Sequence, residues 1–392
     1  MFRFRHVFLY VPAALALLLC ACSSPPARLP EVVERPAPVA PQPELPPIAV
    51  APAEPSPATP ATPAVQPREH IALVLPLASP AFASVADSVR KGFMAAAGLN
   101  LKGSPLYRVY AAENEGDSLI ANIRNAQRDG AVLIVGGLTR DGATLLAKQS
   151  LRNPELPILA LNTPDSGASN RFHFITLALD TETRQLSLLA AGEGAKLATV
   201  VHGNSGLAKR IQETFEREWQ RLGGQIVLRI PFSGDPAEGL RIRAQLENLR
   251  NDMVFIAAEV NTARAVRPYI PIWMTTYATS LSADARADAV SNVDLDGMRF
   301  LDMPWFVQLD HPAVMVYPRP PPDTSIEAER LYALGIDAWR LGGLLLTADP
   351  RQVELDGVTG KLKLDPAGHQ FVRTLTPTEF RDGRATPYAK IE

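Results

Sequence analysis

The sequence predicts an α/β protein with two doubly wound parallel-sheet lobes behind a disordered proline-rich linker. Three observations predict it. Composition changes sharply at His70, the residues beyond it alternate continuous apolar runs with amphipathic stretches, and that alternation comes in two series. Continuous apolar runs, unlike alternating ones, mark strands covered on both faces, and strand–helix alternation builds parallel sheets. About 320 residues follow His70, more than the roughly 250–300 at which one core splits into two.

The chain of 392 residues opens with Arg3 and Arg5 and an apolar run, Val7 to Leu19. The run is short of the roughly 20 apolar residues of a membrane span and has the layout of an export signal. Both cysteines of the chain, Cys20 and Cys22, follow it. Their C-x-C spacing is not the C-x-x-C of redox or metal pairs, and a disulfide between them would close a strained ring. Leu19-Cys20-Ala21-Cys22 resembles the lipobox of bacterial lipoprotein signals, with Cys22 as the acylated residue and residues 1–21 as the signal peptide. Ser23 after the cysteine, by the same resemblance, favours the outer membrane over the inner. A plain cleaved signal with incidental cysteines is the alternative. Several acyl chains on Cys22 would exceed the two-signal threshold for stable anchoring.

Pro25 to Pro67 carries 15 of the 36 prolines and no aromatic residue. Such a segment cannot bury a core and is expected to stay extended and solvated. Residues 22–69 are therefore a tether, reaching at most on the order of 130 Å as polyproline. It is either a stalk of required length or a linker with no length requirement. The formal net charge of −2 becomes more negative by two when Arg3 and Arg5 leave with the signal, which argues against a nucleic-acid partner.

The first series begins with the strand Ile71–Leu77 and a helix over Ser84–Ala97, whose Val85, Val89 and Phe93 recur every four residues. "YRVYAAE" is a strand, Ser118–Arg128 a helix, Ala131–Gly137 a strand, Ala143–Ser150 a helix, and "PILALN" and "FHFITL" are strands. The second series starts with the strand "KLATVVHG" (Lys196–Gly203). A helix over Leu207–Leu222 follows, with Leu207, Ile211, Phe215, Trp219 and Leu222 on one stripe and a Glu213–Arg217 pair outside. Then come the strand "QIVLRI", a helix over Pro236–Leu249, the strand "MVFIAA", a short helix over Thr262–Pro268 and the strand "PIWMTTY". Ala328–Leu346 is a long, largely buried helix, and the tail reads as turn, strand, turn, strand. Residues 70–392 form the folded domain, with lobe 1 at 70–178 plus 300–347 and lobe 2 at 179–299 plus 348–392.

In open parallel sheets, ligands meet the loops after the carboxyl ends of strands. These loops hold Ser79, Thr139 within Gly136–Gly142, and Asn162 and Ser166 within Asn162–Gly167 in the first series. In the second they hold Asn204 and Ser205 within His202–Gly206, Glu259-Val260-Asn261, and Thr275 and Tyr277. Hydroxyls and amides near helix starts suit a small polar or anionic ligand, and they equally suit helix capping. Catalytic signals are weak. His70, His173, His202, His311 and His369 are scattered, and H-E-x-x-H is missing. "GVTGK" (Gly357–Lys361) lacks the phosphate-loop spacing and "GNSG" the nucleophile-elbow spacing. His202 near Ser205 is either a weak nucleophile–base hint or a loop histidine at a strand end. Asp337, inside a buried helix, reads as a paired or backbone-bonded carboxylate, because an isolated one is costly. No motif calls for a cofactor or a metal.

"IALVLPLASPAFASVADSVRKGFMAA" resembles the opening of type I periplasmic binding proteins, and "SGLAKRIQETFEREWQRLGG" the helix of their second lobe. "RLYALGIDAWRLGGLLL" followed by "LDGVTGKLKLDPAGHQFVRTLTPTEFRDGRATP" resembles the LppC-type outer-membrane lipoproteins. That resemblance spans His70 to Glu392. It implies a binding-protein fold that contacts and activates a peptidoglycan synthase, a class A penicillin-binding protein, from the outer membrane, with no catalysis of its own. Better-known members carry a helical-repeat domain where the proline-rich segment stands here. Amino-acid binders of this fold usually present an aromatic residue in the loop that is "HGNSG" here. A solute receptor for an amino acid or amide, serving an ABC transporter, is the alternative.

Overall fold

The computed structural model describes residues 68–99, 103–365 and 369–388. The expectations for the signal, Cys22 and the tether lie outside the described residues. The first series runs β1 (His70–Leu75), α1 (Ala83–Ala97), β2 (Tyr107–Ala111), α2 (Asp117–Arg128), β3 (Ala131–Gly136), α3 (Arg140–Arg152), β4 (Ile158–Ala160) and β5 (Phe172–Phe174). The second runs α4 (Leu179–Gly192), β6 (Leu197–His202), α5 (Gly206–Arg221), β7 (Gln225–Pro231), α6 (Pro236–Glu247), β8 (Met253–Ala257), α7 (Val260–Val266), β9 (Thr275–Ala278), α8 (Ala289–Asn292) and β10 (Met298–Asp302). The chain ends with α9 (Pro304–Val307), α10 (Pro312–Met315), α11 (Ile326–Thr347), β11 (Glu354–Asp356), β12 (Lys361–Asp365), β13 (Gln370–Thr374), β14 (Thr376–Arg381) and β15 (Arg384–Pro387).

The first sheet has the order β11-β12-β13-β5-β4-β3-β1-β2 and the second β15-β14-β10-β9-β8-β6-β7. β1 to β5 are mutually parallel, as are β6 to β10. Each parallel set therefore repeats the order second–first–third–fourth–fifth. Alternate residues of the inner strands serve different cores. Ile71, Leu73 and Leu75 join a cluster that continues through Val200, Phe255 and Phe371 in both lobes. Ala72 and Val74 pack with Leu119 and Ile123 on the other face.

The division of the chain between the sheets differs from the expected one. β10 lies in the second sheet, and β11 to β13 lie in the first, leaving β14 and β15 to the second. The chain passes between lobes three times: after β5, between β10 and α11, and at Leu375 between β13 and β14. Short alternating strands such as "KLKLD" suit any free antiparallel edge, so their own sequence does not say which sheet they extend. α4 was not expected at all. Its core-facing positions include Glu182, Thr183 and Ser187, which blur the apolar stripe. The two hydroxyls bond carbonyls one turn back, at 2.8 Å each. In "PIWMTTY" the strand starts only at Thr275, and Ile272 and Trp273 are 85% and 71% exposed. Arg217 donates to Thr214 (3.2 Å) rather than reaching Glu213.

Candidate functional site: the cavity at the lobe crossings

Most of the loops singled out in the sequence lie beyond strand ends, and several of their polar side chains are committed internally. Ser79 is buried, and its carbonyl accepts from Phe82 and Ala83 to open α1. Thr139 caps α3. The anion position there is taken by Glu115, whose carboxylate accepts from the Leu138 and Thr139 amides and the Thr139 hydroxyl at 2.6–2.7 Å. Asn162 donates to the Leu138 carbonyl (2.9 Å), and Ser166 reaches the Thr144 carbonyl at 3.5 Å. In the second lobe Ser205 caps α5 and donates to Glu259, again placing a carboxylate of this chain beside a helix start. Asn204 is exposed. His202 turns its Nδ1 to the Gly203 carbonyl (3.1 Å), so no nucleophile–base pair forms with Ser205.

Thr275 and Tyr277 are not loop residues. Thr275 pairs with Met253 at the amino end of β9. Tyr277 is buried within the strand and donates to Glu193; burial and that carboxylate push its phenol upward. Glu193 also holds Arg299 (2.7 Å) and Tyr388 (3.2 Å), which makes this a structural brace. The "GVTG" turn is likewise structural. Asp337, fully buried on α11, accepts from the Val358 amide (3.0 Å), the Thr359 amide (2.8 Å) and the Thr359 hydroxyl (2.7 Å).

The more enclosed space lies where the chain crosses between lobes. A cavity of about 400 Å³ has a mainly apolar wall, with Leu281, Met303 and Leu331, around a polar centre of Glu182, Ser280, Asp302, Arg330 and Arg373, and the carboxylates of Asp284 and Glu327 also line it. Each lobe and each crossing contributes. Glu182 on α4 accepts from the Ser280 amide and its hydroxyl (2.8 Å). Burial, helped by the neighbouring Asp302 carboxylate, pushes Glu182 up to about 7 against the pull of those bonds and of Arg330. Asp302, at the carboxyl end of β10, is gripped in a fork by Arg330 of α11 at 2.6 and 2.9 Å. The Arg330 guanidinium also lies over the Phe306 ring at 4.8 Å. Burial lowers Arg330, but Asp302 outweighs it and leaves it raised.

Arg373 on β13 is 4% exposed. Its Nε donates to the Thr176 carbonyl (2.8 Å) and Nη1 to the Thr359 carbonyl (3.1 Å). It forms no ion pair among the described residues, and burial pulls it down to about 10, so it stays charged at neutral pH. Gln185 of α4 then ties the third crossing, donating to the Arg373 carbonyl (2.8 Å) and accepting from the Leu375 amide (3.2 Å). No group of three or more His, Cys, Asp or Glu residues suited to a metal occurs among the described residues. The arrangement can bind and can couple binding to lobe geometry. It presents no activated nucleophile.

Sequence reasoning missed this centre because two of its residues, Glu182 and Asp302, lie in stretches with no element assigned. The available signal was a charge embedded in apolar surroundings: Asp302 in "RFLDMPWF" and Arg373 in "QFVRTL".

Two lobes of identical parallel order, crossed three times around a central cavity, define a protein of the type I periplasmic-binding-protein-like class. The family model described as "LppC putative lipoprotein" matches residues 60–240 and 232–383, and the chain belongs to that family. Penicillin-binding protein activator LpoA of Pantoea ananatis is 27% identical over 313 residues, covering 68% of this chain and 45% of the relative. The protein of the same name from Escherichia coli K12 is 26% identical with the same coverage. This chain thus matches less than half the length of those relatives. Among solved structures, a Chromobacterium violaceum protein described as a "putative branched-chain amino acid ABC transporter" superposes with TM-score 0.68 at 32% identity, over 80% of this chain and 100% of that one. The LpoA C-domain from Haemophilus influenzae gives 0.64 at 22% identity, over 82% and 100%, a likeness of fold. No helix among the described residues is long and apolar enough to cross a membrane.

Proposed function

We propose that this chain is a lipid-anchored regulator that binds a class A penicillin-binding protein in the periplasm and favours its active state, with no chemistry of its own. Membership of a lipoprotein family whose curated relatives are named penicillin-binding protein activators carries this reading. The geometry supports it: Glu115 occupies the amides at the start of α3, and Ser205 is committed to capping α5 and to Glu259. Acylated Cys22 would anchor the chain to the outer membrane, and residues 22–69 would let the domain reach a synthase. Activation then requires tighter binding to the synthase's active state than to its inactive one.

The test adds the purified chain to a class A synthase of the same organism and follows glycan polymerisation and cross-linking. A several-fold rise in rate is expected. Cys22→Ala should leave that stimulation intact in solution and release the protein from the membrane fraction in cells. A chain that neither binds the synthase nor changes its rate sinks the proposal. The likeness to the Chromobacterium violaceum structure favours a second reading, a solute receptor. Saturating solute would stabilise such a receptor by several kcal/mol in a thermal-shift screen.

A further inference from the structure

Between α10 and α11 the chain reads Pro318-Arg319-Pro320-Pro321-Pro322, a segment that belongs to neither sheet and does not line the cavity at the crossings. Each proline fixes its own φ at about −65°. Tyr317, Arg319, Pro320 and Pro321 each precede a proline, which holds their ψ extended. Together these constraints impose a polyproline II ridge, and residues 318–321 indeed lie in no helix, strand or turn. With about three residues per turn, Pro318 and Pro321 fall on one edge. Both are exposed, as is Pro322, while Pro320 is half-buried.

The ridge is pinned from beneath. Tyr317 is buried, the Pro318 carbonyl accepts from the Tyr332 hydroxyl (2.9 Å), and the Pro321 carbonyl accepts from the Thr324 amide (3.0 Å). The Arg319 guanidinium lies over the Trp305 ring at 3.8 Å, so its charge is turned toward the domain. The Arg319 and Pro320 carbonyls accept from no donor among the described residues, and the exposed Asp323 beside the ridge pairs with no cation among them. A segment fixed in this way loses little entropy on docking. It offers flat apolar rings and free carbonyl acceptors. Tryptophan and tyrosine match both, with faces that pack on the rings and an N–H or O–H that reaches the carbonyls. Asp323 adds a demand for a cation at one end.

From this we infer that residues 318–322 are a docking ridge for a protein groove lined by aromatic side chains, with a basic residue beside Asp323. Resting on the proposed function, that groove belongs to the synthase.

The test measures binding of the full chain to a purified class A synthase of the same organism by calorimetry. Replacing both edge prolines (Pro318→Ala with Pro321→Ala) should weaken binding about tenfold or more. Asp323→Arg, which leaves every proline in place, should weaken it about threefold, with the difference shrinking at high salt. Trp273→Ala removes an exposed apolar side chain from the second lobe, away from the ridge, and should bind as wild type does. Far-UV circular dichroism establishes that each variant is folded, and if the double variant does not fold, Asp323→Arg decides. Undiminished binding by either folded ridge variant, or an equal loss in Trp273→Ala, overturns this inference and leaves the proposed function standing. A wild-type chain that does not bind the synthase overturns both.

Discussion

At Glu182, burial beside Asp302 raises the carboxyl from 4.5 to about 7. Between those values the unfolded chain releases a proton that the folded chain keeps, so stability falls as pH rises, by about 3 kcal/mol over the window. His173 does the opposite. Burial, with His369 and Arg171 nearby, lowers it from 6.5 to about 4. As pH falls between those values the unfolded chain takes up a proton that the folded chain refuses, and stability drops by a similar ~3 kcal/mol. The two effects oppose each other from pH 4.5 to 6.5, where wild type should show little slope from this pair. Urea midpoints should climb with pH in Glu182→Gln, which keeps only the histidine effect. They should fall with pH in His173→Gln. Matching slopes in the two variants would contradict the assignment. At this scale the sequence was partly legible. Asp337 had to be partnered because it sits in an apolar helix, and it is. Thr139 could not be told from a ligand-binding residue, because a cap and a ligand use the same hydroxyl.

Among elements, α1 and α11 pack by backbone contact. A Cβ on Gly92 would lie 1.8 Å from the Tyr332 carbonyl oxygen, and one on Gly335 would lie 2.1 Å from that of Val89. Neither neighbour can swing aside, so Gly92→Ala must part the helices and should cost roughly 2–3 kcal/mol in urea unfolding. Gly343→Ala, on the same α11 but with open space around it, should be neutral or stabilising by up to about 1 kcal/mol. Equal costs at the two sites would show that helix propensity, not close approach, governs both. Both helices were readable from their three- and four-residue spacing, because large apolar side chains line them. The reason for the glycines was not, since it depends on which helix lies opposite. α4 escaped notice because its buried face carries a glutamate, a threonine and a serine.

For the molecule as a whole, three crossings mean that neither lobe is a continuous piece of chain. The largest apolar cluster also runs through both sheets. The lobes should therefore unfold together despite a size at which separate transitions are common. In a variant keeping only Trp219, in the second lobe, and in one keeping only Trp339, in the first, the fluorescence midpoint in urea should equal that variant's own far-UV circular dichroism midpoint. Two midpoints would mean that the crossings do not couple the lobes. The two-lobed class was legible from repeated strand–helix alternation over about 320 residues. The allocation of 300–392 was not, because edge-strand pairing is decided by which edge is free.

β1 gives the molecule a mechanical property. It starts at His70, where the chain enters the described domain, and it is an inner strand paired in parallel with β2 on one side and β3 on the other. A pull directed along β1 from its amino end would load the ladders on both flanks in shear. Their hydrogen bonds must then fail together, whereas an edge strand peeled from its end loses them one at a time. If Cys22 holds the chain to a membrane as proposed, the leash joins the domain at a strand held on both flanks, and tension along β1 would be borne by both ladders at once.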